Sequence, residues 1–546
     1  MKRSLSLLAV IALVALPALA QELDRAAEYR QSAAVLARYA DVPIALDAPG
    51  LKPGRNDFTS QAEMEAWLAA LQARVPGLVL GSLGRSQQGR DIPYLLFTKE
   101  GLSDPAAIVA LGRPILWFIG LQHGNEPAGG EAMLALAAML AEGDLKPFLD
   151  KVSVVVVPRA NPDGAAAFTR ATASRADLNR DHILLTLPES AALHAKLIAL
   201  PPDVVIDAHE FSVANRWLQK FAVIEASDAM YLYATHPMVH PAVTSLADGL
   251  FRPALERAWK TYGLTSFWYH TTSYRPDDRL VSMGGNAPGI ARNTFGLMGA
   301  VSFLIETRGV GVGLQGFQRR VATHVVGAQA VIATAAAEAA RLRDTVVQAR
   351  RAGAADRADL IVAHRLAVAP VDLPMLDPAT AADKPTTVQF KDSRAVTPTV
   401  TRPRPAGYLL PGNAVITWRN PLPLNTIGIC ALTASVTIEV EAFILKNAPK
   451  AGNRESINPD QSVEIELVPK TLTVPAGTFY VPMNQPAAGV IAAALEPDSP
   501  GSFIGTGILA MPPGTSETPI YRVGAAAART LKLAPLPGAP AGVCGE

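Results

Sequence analysis

The stretch that decides the fold runs from Pro114 to Leu140, PILWFIGLQHGNEPAGGEAMLALAAML. Its first part, Ile115–Leu121, is a continuous apolar run of the kind found in a strand buried on both faces. A tight turn follows. An amphipathic helix then begins near Pro127, where proline suits the first helical turn. His123 and Glu126 fall in the turn, three residues apart. An imidazole nitrogen and a carboxylate oxygen form a partial ligand set for Zn²⁺, and a catalytic zinc needs one more protein ligand, with its fourth position left to water.

Upstream, Ser60-Gln-Ala-Glu63 has the form of a capping box opening a helix through about Arg74. Leu78–Leu83 and Ile92–Thr98 are predicted strands around the polar turn Gly84–Arg90. Downstream, Val152–Pro158, Val204–Ala208 and Ala300–Ile305 are further buried apolar runs. Residues 211–299 are expected to be loop-rich, and Gln318–Ala352 to be one long helix. Strands alternating with helical stretches predict an α/β fold with a mixed, largely parallel sheet and helices on both faces. In such sheets ligands bind outside the carboxyl ends of the strands. Four predicted strands each end in candidate chemistry: His123 and Glu126, the segment 161–180, His209, and Glu306.

The chain has 546 residues, 49% apolar and 18% charged, which excludes global disorder and predicts more than one folded unit. A net charge of +1 excludes nucleic-acid binding by bulk charge. Lys2 and Arg3, the apolar run Leu5–Leu16 and Ala18-Leu19-Ala20 form a secretory signal pattern. The expectation is cleavage after Ala20, a periplasmic or secreted protein, and no stable membrane anchor afterwards. The two cysteines, Cys430 and Cys544, are free to form one bridge in an exported protein or to remain thiols. Residues 21–352 are expected to form the catalytic unit. Residues 353–405, rich in Pro, Thr and Asp from Asp372, read as a linker or extended crossing. Residues 406–546, with short β-prone runs, read as a smaller β-rich domain.

His209, at a predicted strand end, is the best third metal ligand among nine histidines. Its neighbour Glu210 points to the opposite face of an extended strand, so it is supporting or structural. Glu306 ends an apolar strand, where a carboxylate is costly unless a site solvates it. It either pairs with Arg308 or serves as a general base toward a zinc-activated water. Arg170, Asn179 and Arg180 offer two cations and an amide. They either clamp a substrate carboxylate and stabilise an oxyanion, or form a solvated basic loop. Asp177 can orient a ligand histidine through its other ring nitrogen.

These residues together resemble the zinc carboxypeptidases of the carboxypeptidase A type. The resemblance is carried by His123-Gly-Asn-Glu126, Asn161-Pro-Asp-Gly164, Asp177-Leu-Asn-Arg180, Asp207-Ala-His209, Phe303-Leu-Ile-Glu306-Thr and the turn Gly84–Arg90, in order across about residues 55–340. It implies one Zn²⁺ per chain held by His123, Glu126 and His209, with Glu306 as base. It further implies Arg170 on the oxyanion side, Asn179 and Arg180 on the substrate's terminal carboxylate, and Asp177 supporting the first zinc histidine. The implied activity is hydrolysis of C-terminal peptide bonds in a substrate with a free carboxylate. An alternative is a zinc amidase acting on cell-wall peptides or N-acyl amino acids. Two features depart from the pattern. Neither Tyr269 nor Tyr274 has the spacing of the family's substrate-capping tyrosine. Arg292, near the expected side-chain pocket, either favours an acidic side chain or pairs structurally.

Overall fold

The computed structural model describes residues 27–410, 427–447, 463–537, 539 and 542–545. The predicted signal segment, residues 1–20, lies outside the described residues. The centre of the fold is an eight-stranded sheet. Its strands in chain order are β1 (Val79–Arg85), β2 (Asp91–Phe97), β3 (Ile115–Gly120), β4 (Ser153–Val157), β5 (Val204–Ser212), β6 (Ala229–Tyr233), β7 (Ser266–Trp268) and β8 (Val301–Val310). Their spatial order is β1-β2-β4-β3-β5-β8-β6-β7. The middle four, β4, β3, β5 and β8, run parallel, with antiparallel neighbours toward both edges.

The parallel centre follows from composition. β3 and β4 are buried at every residue, as continuous β-branched and aromatic runs require when helices cover both faces. The faces can be assigned from β5, where successive side chains alternate. On the Glu210 face lie helix α1 (Pro127–Ala141), whose Ala128 N–H donates to Glu210 (3.0 Å), and a later helix carrying Arg320, which pairs with Glu210. On the Asp207 and His209 face lie Asn179 and helix α2 (Ala291–Leu297), whose first N–H donates to Asn179 (2.8 Å).

The capping box forms as predicted: Ser60 Oγ accepts the Glu63 N–H and Glu63 Oε2 accepts the Ser60 N–H. The long Ala-rich helix does not form in one piece. It breaks at Glu338 into α3 (Phe317–Ala337) and α4 (Ala339–Ala355), bent by 87°. Most of α3 is buried, and α4 is the more polar of the two. Among the described residues no single helix is long and apolar enough to cross a membrane. Residues 211–299, expected to be loop-rich, contain β6, β7, α2 and several short helices.

The segment expected as a linker or extended crossing is extended, but it pairs with itself. Leu360–Leu373 (β9) and Thr386–Arg402 (β10) form a long antiparallel hairpin. β10 also adds to the short strand Leu280–Ser282. Beyond it lies a seven-stranded sheet whose strands pair antiparallel, with Cys430 and Cys544 joined as a disulfide, Cα–Cα 5.7 Å. This sheet shares one apolar core with the central sheet. The buried helix Ala488–Leu495 packs against α2, so closely that a Cβ on Gly489 would lie 2.9 Å from the Leu297 side chain. Arg402, at the end of β10, forms buried ion pairs with Glu496 and Asp498.

Two predictions follow from this packing. Burial, and then the charge of His364, push His236 down to about 3. Folded His236 therefore stays neutral where the unfolded chain takes up a proton. Its contribution to stability is whole above pH 6.5 and is lost as pH falls toward 3. Between pH 6.5 and 5 that loss is about 2 kcal/mol. In thermal unfolding at pH 7 and pH 5, His236→Asn is expected to lose less stability than the parent, and an unchanged pH dependence would rule the assignment out. Second, a chain ending at residue 405 exposes the α2 face and leaves Arg402 without its acids. It is expected to unfold at a lower temperature than the full chain, whereas equal midpoints would mean that the two sheets are stable independently.

Candidate active site

The site begins where β3 stops. Leu121 has φ 59, in the left-handed region that a branched residue rarely adopts. The reversal is fixed by the segment after β4: Ala160 N–H donates to Gly120 O (3.0 Å) and Asn161 N–H to Leu121 O (3.1 Å). Asn161 also caps the next short helix, its Oδ1 accepting the Gly164 N–H. Gly124 is required here, because a Cβ would sit 1.9 Å from the carbonyl carbon of Gly164. The turn Gly84–Arg90 docks on the same feature: Ser86 Oγ donates to Asp163 and Arg90 pairs with it, each at 2.7 Å. The motifs at 84–90, 123–126 and 161–164 thus form one packed corner.

His123, Glu126 and His209 converge from β3 and β5. All three are buried, and their ligand atoms lie within 4.8 Å of one another. Each imidazole turns Nδ1 inward: His123 Nδ1 is 2.8 Å from Glu126 Oε1, His209 Nδ1 is 2.8 Å from Glu126 Oε2, and the two ring nitrogens are 3.0 Å apart. Two imidazoles and one carboxylate aimed at a common point are a donor set that fits zinc. Each outward Nε2–H is held by a carboxylate, at 3.0 Å by Asp177 for His123 and at 2.8 Å by Asp207 for His209. Such partners fix the tautomer and strengthen the ligand. Burial pushes the Asp177 carboxyl up, but Arg170, Arg180 and His123 outweigh it and hold it far below the usual range. Burial lowers His209, but Asp207 and Glu126 overcome it and hold the ring well above its ordinary value. The same negative charges favour a divalent cation.

Asp207 itself is held from behind. Its Oδ1 accepts from Gln122 Nε2 (2.7 Å), Gln122 Oε1 accepts from His182 Nε2 (2.8 Å), and His182 Nδ1 faces His194 Nε2 (3.1 Å). Burial pushes His182 down to about 4, so it is neutral, as this network requires. The residues of the network are fully buried. In the sequence Asp207 stands out only as part of the motif Asp207-Ala-His209. Its two-residue spacing from His209, which puts both on one strand face, is the signal that would have found it.

Glu306 lies beside His209, because the parallel register of β8 on β5 pairs the two positions. Burial, and then the negative charge of Glu126, push its carboxyl up to about 8. The pairing of Glu306 with Arg308 left open by the sequence does not occur. Arg308 turns to Gln31, the carbonyl of Glu225 and the ring of Tyr39. Arg170 Nη2 donates to Asp177 Oδ2 (2.8 Å), and its Nη1 reaches Glu126 Oε1 (3.4 Å) and His123 Nδ1 (3.1 Å). Arg175, in the same loop, is exposed. Asn179 and Arg180 separate in behaviour. The Asn179 amide is buried and committed, its Nδ2 to Asp207 (3.3 Å) and its Oδ1 to the Ala291 N–H (2.8 Å). Arg180 is partly exposed, and its Nη1 donates to the Asn179 carbonyl (2.7 Å).

Glu210 is buried on the far face, paired with Arg320, while its backbone N–H donates to Glu126 Oε2 (3.1 Å). Tyr269, whose spacing departs from the family pattern, is nonetheless brought near Glu306. Burial, and then the charge of Glu306, raise its phenol, and Arg170 and Arg292 also act on it. Tyr274 is 81% exposed, beside Arg216.

Residues 64–190 match the family described as "Zinc carboxypeptidase". Over 485 residues the chain is 28% identical to "Carboxypeptidase 2" of Trichophyton equinum, covering 87% of this chain and 88% of that protein. It is 29% identical, with the same coverage, to "Carboxypeptidase 2" of Trichophyton tonsurans. A likeness that long extends into the C-terminal sheet. Among solved structures, a metallo-carboxypeptidase from Burkholderia cenocepacia is similar at 20% identity and TM-score 0.40, over 52% of this chain and 71% of that one. The family match spans the first ligand turn and the relatives align over most of their length, so the chain carries a zinc carboxypeptidase domain, that of a zinc metallocarboxypeptidase, a hydrolase of peptide bonds.

Proposed function

We propose that the protein is an exported carboxypeptidase that removes the last residue of a peptide, with Glu306 as general base. The observation that carries this reading is the register that sets Glu306 beside His209, at the edge of a ready ligand set. A zinc ion held by His123, Glu126 and His209 would supply Lewis acidity and lower the pKa of water toward about 7. Glu306 takes a proton from the attacking water as its oxygen bonds to the carbonyl carbon of the last peptide bond. It then delivers that proton to the departing nitrogen as the C–N bond breaks. Glu306, whose carboxyl is raised by burial and by Glu126, would be brought into the range that suits a base near neutral pH by a divalent cation held at that ligand set.

Arg170, half-exposed above Asp177, stabilises the developing oxyanion. Arg180, partly exposed beside Asn179, receives the terminal carboxylate. Asn179, with its amide committed, joins the floor under His209 to α2 and positions Arg180. The signal pattern and the Cys430–Cys544 disulfide both support an oxidising compartment.

Glu306→Gln is expected to keep one equivalent of zinc by metal analysis while kcat on peptides falls about 10²- to 10⁴-fold. Full activity in that variant removes Glu306 from the role. Asp207→Asn is expected to weaken zinc affinity about 10- to 100-fold, read by competition with a chelator. Unchanged affinity would mean that Asp207 does not support His209. Mass spectrometry of the exported protein is expected to find Gln21 at the amino terminus, and a chain that retains Met1 would end the export reading.

A further inference from the structure

Where the catalytic unit meets the C-terminal sheet, a cleft of about 530 Å³ opens between the segment just past α4, the strand Phe479–Pro482 and the chain near Cys544. That volume suits a small-molecule site, and junctions between folded units are where such sites concentrate. The cleft shares no residue with the zinc ligand set.

Its lining has two kinds of wall. One is apolar and includes Tyr480, Met483 and Leu531, of which the first two are buried. The Tyr480 ring lies over Gly407, where a Cβ would collide with it. The other wall is cationic. Arg357, Arg404 and Arg529 all line the cleft, and no acidic residue does. Among the described residues, only Arg404 of the three has an acid within ion-pair distance: Asp356 Oδ2 accepts from its Nη2 at 2.7 Å. Arg404 Nε reaches the Ala358 carbonyl at 3.4 Å, but its buried Nη1 has no partner. The Arg404 side chain is only 11% exposed. Arg357 turns Nη1 to the Asp356 carbonyl (2.9 Å), and both Arg357 and Arg529 are exposed.

Three guanidinium groups against one carboxylate leave a surplus of positive charge around the cleft. Salt in solution screens the two exposed arginines. It neither satisfies the buried Nη1 of Arg404 nor covers the apolar wall, and a buried donor without a partner is costly. The cleft is also preformed. Cys544 lines it and is bonded to Cys430 in the strand Cys430–Leu432, which ties that wall to the sheet. A site that needs little ordering keeps more of its interaction energy on binding.

We propose that this cleft binds an amphiphilic anion, a carboxylate or phosphate head on an apolar chain. The arginines take the head, since a guanidinium fork matches either group, and Tyr480, Met483 and Leu531 take the chain. The site goes beyond the peptidase reading and does not depend on it.

The test uses octanoate and octyl phosphate, which put the two heads on one chain. Each is titrated by calorimetry into the full, disulfide-bonded, zinc-loaded chain carrying Glu306→Gln. Saturating peptide is present, so that the catalytic centre is already filled. One saturable site is expected, for which the two ligands compete. Arg404→Gln and Arg529→Gln are each expected to weaken binding about 10-fold, the worth of a charge-assisted bond. Arg529 has no ion pair to lose among the described residues, so its variant separates lost binding from lost folding. Octanol and inorganic phosphate, each with half of the recognised chemistry, are expected to bind about 10-fold more weakly than the amphiphiles. Saturable binding of only one amphiphile supports the site and fixes its head group. No saturable binding of either overturns the proposal. So does octanol binding as tightly as octanoate, or inorganic phosphate as tightly as octyl phosphate. Affinity unchanged in both arginine variants also overturns it, because the ligand then sits elsewhere. Glu546 follows the lining residue Gly545 in the sequence, so a chain ending at Gly545 is titrated alongside. If only that shorter chain binds, the cleft is closed to outside ligands and the proposal falls.

Discussion

Everything in this site depends on gathering negative charge in a dry place. Glu126, Asp177, Asp207 and Glu306 are all buried within one neighbourhood. Four carboxylates so placed repel one another and lose their hydration, so the arrangement persists only with compensating cations or protons. His123, His209, Arg170 and Arg180 supply part of that compensation. The His209 and Glu306 results are two sides of the same condition: the first holds a proton tightly and the second is reluctant to lose one. A divalent cation held by His123, Glu126 and His209 would relieve both, and the donor set and its surroundings fit the chemistry of a zinc hydrolase.

The supporting interactions are arranged by distance from that charge. Closest are Asp177 and Asp207, which fix the two rings through their outer nitrogens. Behind Asp207 stands a neutral, fully buried chain of Gln122, His182 and His194, which orients it without adding charge. Farther out, Glu210 and Arg320 pair on the opposite sheet face and hold the start of α1 through the Ala128 N–H. Each shell keeps the next from relaxing, so the ligands meet in a fixed geometry.

The regions outside the central sheet have a physical reason to be there. α2 is only seven residues long and carries a buried guanidinium, so its own hydrogen bonds are too few to hold it. It is clamped by Asn179 from the metal side, by the hairpin strand β10 through the 283–286 turn, and by the helix Ala488–Leu495. The buried ion pairs of Arg402 with Glu496 and Asp498 tie the hairpin to the C-terminal sheet.

Local sequence determined a good deal of this protein. The apolar runs of β3, β4, β5 and β8, the capping box at Ser60, and the turn residues before Pro127 follow from side-chain periodicity and backbone chemistry, which act over a few residues. The candidate residues at the strand ends were visible for the same reason. Other features were settled only by the tertiary structure. The sequence left open whether Glu306 pairs with Arg308 or serves as a general base, and the β5–β8 register sets it beside His209. The commitment of the Asn179 amide, the approach of Tyr269 and the Cys430–Cys544 bridge all depend on partners tens to hundreds of residues away. Such contacts leave no local periodicity. Whether a buried charge is paired or left waiting for a ligand is fixed only when the whole chain has closed around it.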